Sequence, residues 1–201
     1  MKWYLLFVTV ILTIPAFSQD AQTAQEKEAA YTRTINARAQ KIVDAMHLND
    51  ASKSERLVQI IAGQYRALNE IHTYAPDSLK SAKLAELHKQ YLLKLSTELN
   101  ANQIDQVKDG MTYGVLPLTY NGYLDMLPNL TEEQKKQIMT WLIEAREFAM
   151  DAESSEKKHG WFGKYKGRIN NYLSAAGYDL KKEGEEWQKR IKAREEAKKK
   201  Q

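Results

Sequence analysis

The residues best suited to ligand chemistry lie between positions 157 and 172, where basic and aromatic side chains alternate. Aromatic rings offer sugar rings a flat apolar face, and Lys or Arg pairs with carboxylates or phosphates. In a helix that begins near Lys164, Lys164 and Arg168 are four residues apart and share a face. This segment, together with tyrosines between 113 and 123, predicts a ligand-binding site. Its candidate residues are Lys158, His159, Trp161, Phe162, Lys164, Tyr165, Arg168, Tyr113, Tyr120 and Tyr123.

The same segment has an alternative, structural interpretation. Its aromatic residues can form part of a hydrophobic core, with the lysines as the solvated rim of that core. The two interpretations differ in one observable feature, which is whether Trp161 and Phe162 are exposed beside the lysines. The sequence leaves both open.

Catalytic patterns are scarce in this chain. No two of His47, His72, His88 and His159 have the i, i+4 spacing of a helical metal site, and HExxH is absent. His72 falls on an apolar helical stripe, which favours a structural role. Nucleophile, P-loop and dinucleotide motifs are also absent, so we expect no catalytic residue, no metal and no cofactor. Carboxylates brought together from distant helices could still act on a glycoside, which leaves an unrecognised hydrolase or lyase as an alternative.

The elements that must position these residues are helices. Apolar residues recur every three or four positions over 31–46, 57–72, 84–95 and 138–149, which is typical of amphipathic helices. We see no alternating β-branched run and predict no sheet. Residues 110–128 are rich in Gly, Pro and Tyr and predict an aromatic, turn-rich connector, while 154–163 predicts a second break before a helix that ends at Gly177. The predicted fold is an all-α, single-domain antiparallel bundle of five to seven helices.

The first eighteen residues have the pattern of a signal peptide. Lys2 precedes the apolar run 4–14, and Ala16-Phe17-Ser18 is a small-x-small cleavage site. We expect cleavage before Gln19 and an extracytoplasmic protein, either periplasmic or secreted. The apolar run is too short to span a membrane, and no other segment is long enough. The predicted organisation is a signal peptide at 1–18, a helical domain at 19–179 and a charged, helical C-terminal tail at 180–201.

Charge is unevenly distributed over a chain of 201 residues with no cysteine and a formal net charge of +4. Residues 157–168 carry five Lys or Arg and no acidic residue, and 180–201 carry nine basic and five acidic residues. The rest of the predicted mature chain is net acidic. Two basic segments on an acidic body predict an anionic partner. Export disfavours nucleic acid and favours anionic polysaccharide or lipid head groups.

An internal repeat places LNANQ at 99–103 beside LTEEQ at 130–134. The structural interpretation is a capping box, with Asn100 or Thr131 at the N-cap and Gln103 or Gln134 three residues later. The repeat also resembles the periplasmic LTxxQ (Spy-like) family of small, all-helical, cysteine-free chaperones. That resemblance implies a chaperone or envelope-stress protein that holds unfolded or envelope proteins on a basic concave surface.

A second resemblance covers most of the predicted mature chain. VKDGMTYGVLP at 107–117, YNGYLDMLP at 120–128 and WFGKYKGRINNYL at 161–173 are similar to a family of secreted proteins classified as a domain of unknown function. The resemblance implies a setting in plant-polysaccharide utilisation and no particular reaction. We therefore expect a non-catalytic extracytoplasmic binding or accessory protein for anionic carbohydrate. The chaperone and the polysaccharide-active hydrolase or lyase are the alternatives, and the oligomeric state is left open.

Overall fold

The computed structural model describes residues 17–199, which form helices joined by short turns with no strand in that range. The predicted signal peptide lies outside the described residues except for its last two positions, so its cleavage stays a prediction. The eight helices of the described range are α1 (Phe17–Asp44), α2 (Ala51–Tyr74), α3 (Asp77–Ser96), α4 (Ala101–Met111), α5 (Val115–Met126), α6 (Glu132–Met150), α7 (Ser155–Ala175) and α8 (Leu180–Lys198). The all-helical prediction is confirmed, and the predicted number of five to seven helices is too low.

The helices surround two hydrophobic clusters. The first is built by α1, α2, α3 and α4, and includes Met150 from the end of α6. The second is built by α5, α6 and α7, with Leu116, Leu142 and Phe162 among its buried members. Helix α4 contacts α1, α3, α5 and α6, and therefore joins the two halves of the bundle.

Both copies of the sequence repeat begin a helix. The Asn100 side chain accepts a hydrogen bond from the Gln103 N–H, and the Gln103 side chain accepts one from the Asn100 N–H. Thr131 and Gln134 make the same reciprocal pair at the start of α6. Because the first N–H groups of a helix have no partner within the helix, these side chains replace water as acceptors. The capping-box prediction is confirmed at both positions.

The predicted turn-rich connector at 110–128 is wrong, because most of it is helix α5. Gly114 and the two prolines lie where a helix tolerates them, whereas Gly122 lies in the interior of α5. Gly114 is the N-cap in a left-handed conformation (φ 66°), and Pro117 stands in the first turn, where an N–H would have no partner within the helix. Pro128 follows the last turn. Burial of Leu116 and Tyr123 on one face then stabilises the helix.

One further segment is more helical than predicted, and the tail that was predicted to be helical forms α8. The break expected at 154–163 ends at Ser154, whose side chain accepts a hydrogen bond from the Lys157 N–H and starts α7 nine residues before Lys164. The basic tail is a helix as far as Lys198. It is attached to α5 through Asp125, which accepts hydrogen bonds from Trp187 and Arg194. None of the helices within 17–199 has the length and apolar character needed to cross a membrane.

Candidate functional site

Exposed aromatic rings and cations meet along the seam between α6 and α7. The Trp161 and Phe148 rings are stacked, with centroids 4.6 Å apart and planes inclined by 17°. The Lys164 Nζ lies 5.0 Å from the centroid of the Trp161 ring. The Arg168 guanidinium lies 4.6 Å from the Trp141 ring. We call Trp141, Phe148, Trp161, Lys164 and Arg168 the aromatic–cationic stripe.

Helical spacing explains how the stripe is assembled. Trp161, Lys164 and Arg168 follow the i, i+3, i+7 pattern and occupy one face of α7. On α6, Trp141 and Phe148 are seven residues apart and share a face in the same way. Seven residues correspond to ~10 Å along a helix axis. The two contacts between the helices are therefore about two turns apart and present a continuous edge.

The stripe remains accessible at both ends. Phe148 is 46% exposed, and both tryptophans are half-buried. Within residues 17–199, Arg168 has one acidic neighbour, Glu144, at 3.7 Å, which is a weak exposed pair. An exposed cation held over a ring keeps most of its hydrogen-bond donors free. The stripe can therefore offer aromatic surface, chiefly the Phe148 ring, and charged donors to the same ligand.

Several residues predicted to line a ligand site are buried, which corrects their assignment. Phe162 is 1% exposed and Tyr165 and Tyr123 are each 6% exposed, so all three belong to the second hydrophobic cluster. The Tyr123 hydroxyl donates to Asn170 Oδ1 at 2.7 Å, and burial raises the pKa of Tyr123 to about 12. Since helix α7 places residues 158, 162, 165 and 169 on its inner face, the core interpretation holds for that face.

Lys158 is also buried, for a different reason. Its Nζ donates to the carbonyl oxygens of Ala149 at 3.0 Å and Met150 at 2.8 Å. The last carbonyls of a helix lack partners within the helix and carry partial negative charge, so an ammonium group is favourable there. Burial, partly offset by the charge of Asp151, lowers the pKa of Lys158 to about 8. This lysine holds α7 to the end of α6 and offers nothing to the solvent.

The remaining predicted residues divide between two places. Tyr113 stacks on His159 with centroids 5.5 Å apart, so the structure unites these two. Tyr113 is 54% exposed and has a positive φ of 60°, which is a strained conformation for a bulky residue. His159 Nδ1 is 2.8 Å from the Ser155 carbonyl oxygen. Tyr120 is half-buried against the second cluster and is not part of this group.

A histidine–carboxylate cluster at the end of α6 was missed by the sequence analysis. His88 on α3 lies between Asp151 (Nδ1–Oδ2 2.8 Å) and Glu147 (Nε2–Oε2 3.2 Å). Lys108 on α4 donates to both oxygens of Glu147, at 3.0 and 2.8 Å. His72 on α2 is 2.7 Å from the Asp151 carbonyl oxygen through Nε2. No local spacing could reveal this cluster, because its members come from four helices.

The charges in this cluster perturb one another. Hydrogen bonds to Asp151 and Glu147 raise the pKa of His88 to about 9, so its imidazole is protonated at neutral pH. Burial alone would raise the pKa of Glu147, but the hydrogen bonds from His88 and Lys108 lower it to about 2. The result is a chain of alternating charges that links α3, α4 and α6. Within the described range, no three His, Asp or Glu side chains are arranged to hold a metal ion.

A cavity of about 670 Å³ lies beside this cluster, between α3 and the junction of α6 and α7. Its polar wall includes His72, Asp151 and Glu153, and its aromatic wall is the stacked pair Phe148 and Trp161. His72 Nδ1 is 3.5 Å from Glu153 Oε2. One end of the stripe thus opens into a cavity that is lined by both acidic and basic side chains.

The fold and these surfaces define the chain as an all-helical bundle with an exposed aromatic and basic edge. Residues 32–85 and 75–193 match the family described as "Protein of unknown function (DUF3826)". The chain belongs to this family, which confirms the predicted membership of an uncharacterised family. No curated protein matches the chain. The likeness to the LTxxQ family stays a prediction.

Proposed function

We propose that the protein is a non-catalytic, extracytoplasmic binding protein for anionic carbohydrate and that the aromatic–cationic stripe is its binding surface. The proposal depends most on one observation: Lys164 and Arg168 lie over Trp161 and Trp141 on an exposed edge. A sugar ring can stack on an indole face while its carboxylate pairs with the cation beside it. The extracytoplasmic setting depends on the predicted signal peptide.

The geometry suits a chain of sugars better than a single ring. Along α7, Trp161 lies ~10 Å from Arg168, and the two cations Lys164 and Arg168 are ~6 Å apart, about one helical turn. Each cation–ring unit combines one ring face with one positive charge, so a repeating polyuronate presents matching groups at both. The five basic residues of 157–168, with no acidic residue among them, add attraction at longer range. Such attraction weakens as salt is added.

The test is a thermal-shift and calorimetric titration of residues 19–201 with oligogalacturonide. Its methyl-esterified form, which has the same rings and no charge, is the matched control ligand. We expect the acidic oligosaccharide to raise the melting temperature at low salt, with a smaller shift at moderate salt. The double variant Lys164→Ala/Arg168→Ala should lose the response, while Arg33→Ala/Lys181→Ala, which removes two exposed charges elsewhere, should keep it. The absence of any shift with the acidic ligand would overturn the proposal.

A second candidate function is supported by the cavity beside the stripe. His72, Asp151 and Glu153 line it together with Trp161, so a sugar bound on the stripe would extend toward a histidine and two carboxylates. Such a set can transfer protons in a hydrolase or a lyase. Incubation with polygalacturonate, followed by assays for new reducing ends and unsaturated products, tests this candidate. The hydrolase or lyase candidate requires that the parent protein release such products and that His72→Ala release none.

The chaperone alternative receives less support from the described residues. Both LTxxQ-like segments serve as capping boxes, which accounts for the repeat in structural terms. The exposed large apolar residues of the described range are spread over α2, α3, α5, α6 and the α4–α5 turn, and scattered exposed apolar residues are ordinary on protein surfaces. They are Tyr74, Leu79, Leu93, Tyr113, Leu118, Ile143 and Phe148. A client-aggregation assay is the experiment that addresses this role.

A further inference from the structure

A second cavity, of about 610 Å³, lies where α1 and α2 meet the junction between α4 and α5. Arg38 and Lys41 line it from α1, Tyr65 lines it from α2, and Tyr113 stands at the end of α4. It shares no residue with the aromatic–cationic stripe or with the cavity near His72. Its volume lies within the ~300–1,000 Å³ that is usual for small-molecule sites.

The cations of this cavity are not neutralised. In the part of the chain that the structure describes, the side chains of Arg38 and Lys41 form no hydrogen bond and no ion pair. The one carboxylate in the lining, Asp109, is engaged by Arg146 at 2.8 Å. Burial, and to a smaller extent the nearby charge of Arg38, lowers the pKa of Lys158. Among the described residues, the two cationic side chains of this cavity are therefore left without a contacting carboxylate.

The two tyrosines add polar and ring contacts. The Tyr65 hydroxyl makes no hydrogen bond in the described structure, and burial raises the pKa of Tyr65 to about 12, so the hydroxyl keeps its proton as a donor. The Tyr113 ring is exposed yet held in place by its stacking on His159. Its backbone has a left-handed φ of 60°, a strain that is common at ligand sites.

We propose that this cavity binds a small organic anion, a ring that carries a carboxylate or a phosphate, such as a uronic acid or a sugar phosphate. The anionic group lies between Arg38 and Lys41, the Tyr65 hydroxyl donates to it, and the ring rests against Tyr113. A guanidinium paired with an ammonium offers several donors to one anionic group. The proposal does not rest on the proposed function of the stripe, because the two surfaces have no residue in common.

The test uses residues 19–201 at low salt and titrates four probes by calorimetry and amide chemical shifts. The probes are galacturonic acid, glucose 6-phosphate, inorganic phosphate and glucose. We expect one or more of the anions to bind and glucose not to bind. A comparison of the affinity for galacturonic acid with the affinities for glucose 6-phosphate and inorganic phosphate shows whether the cavity prefers a carboxylate or a phosphate. The absence of binding by all three anions would overturn the proposal.

Paired variants locate the binding. Arg38→Ala/Lys41→Ala should weaken the anion affinity at least tenfold and leave the melting temperature of the free protein unchanged, because both side chains are exposed. The control Lys27→Ala/Arg33→Ala removes two exposed charges from the same helix and should bind as the parent does. Equal affinities in both double variants would place the anion elsewhere and refute the site.

Tyr113→Gly distinguishes a ligand-binding role from a structural one. Glycine adopts a positive φ without strain, so this variant should have a raised melting temperature and a weakened affinity for the ring-bearing anion. Inorganic phosphate, which has no ring to stack, should lose much less affinity. A lowered melting temperature with unchanged affinity would show that Tyr113 is only a structural element and would overturn its assignment to the site.

Discussion

His88 offers the sharpest test of the charge network at the end of α6. It lies between Asp151 and Glu147, at 2.8 and 3.2 Å, and its side chain is 20% exposed. His88→Ala removes the cation that joins α3 to α6 and leaves Asp151 Oδ2 without its partner. Asp151 Oδ1 already lacks a hydrogen bond. Removal of one member of a buried pair is costly because the remaining charge is uncompensated.

The size of the effect follows from the pKa of His88, which rises from 6.5 to about 9 on folding. Each pKa unit corresponds to ~1.4 kcal/mol, so the rise is worth about 3 kcal/mol. Because the folded state holds the proton more tightly, this contribution is fully present below pH 6.5 and is lost as the pH rises through about 9. The pKa of Lys158 falls to about 8 on folding, so this lysine changes the pH dependence of stability in the opposite direction. Because Lys158 is present in both the parent and the variant, its contribution cancels in the difference between their free energies of unfolding.

The assay is urea denaturation followed by circular dichroism, for the parent and the variant at several pH values. We expect His88→Ala to lower the free energy of unfolding by about 3 kcal/mol at mildly acidic pH, with a much smaller loss once the parent histidine is deprotonated. His47→Asn is the control, because His47 is exposed and asparagine tolerates its positive φ of 49°. A loss that does not depend on pH, or one below ~1 kcal/mol at acidic pH, would refute the reasoning.

Three further predictions concern stability. Gly163→Ala should stabilise the protein by about 0.5–1 kcal/mol, because an added Cβ meets no atom of the described structure within 4 Å. Gly110→Ala should destabilise the protein, since the new Cβ would lie 2.9 Å from the Ile42 side chain. Changes of the same sign in the two free energies of unfolding, measured by urea denaturation, would contradict this pair of predictions. Thr131→Ala should cost about 1 kcal/mol in the same assay through the loss of the α6 capping box, and an unchanged free energy of unfolding would count against that cap. Asp125→Asn should weaken the attachment of α8 to α5, so that trypsin cleaves α8 sooner. An unchanged cleavage rate would show that the hydrogen bonds from Arg190 to the Asp125 and Met126 carbonyls suffice to hold α8.

The features that were predicted correctly are local in the chain. The capping boxes at Asn100 and Thr131 depend on residues three positions apart, and both are present. The shared face of Lys164 and Arg168 depends on helical spacing alone. Interactions of this range are complete within one or two turns, so the residue types suffice to predict them.

The error at α5 has a different origin. Gly114 and Pro117 disfavour the interior of a helix, and the segment was predicted to be a connector for that reason. They stand instead at its N-cap and in its first turn, where their conformational limits cost little. Burial of Leu116 and Tyr123 against α6 and α7 then decides in favour of a helix. Propensity is a weak guide wherever tertiary packing supplies the larger free energy.

The sequence by itself determined a set of amphipathic helices, their caps and the two cations on one face of α7. Only the tertiary structure decided that Trp141 and Phe148 of α6 lie beside those cations, and that His88 meets Asp151 from 63 residues away. The physical reason is the distance along the chain over which each kind of interaction acts. Hydrogen bonding and helical periodicity act between near neighbours, whereas the partners of an exposed ring or a buried charge depend on how whole helices pack.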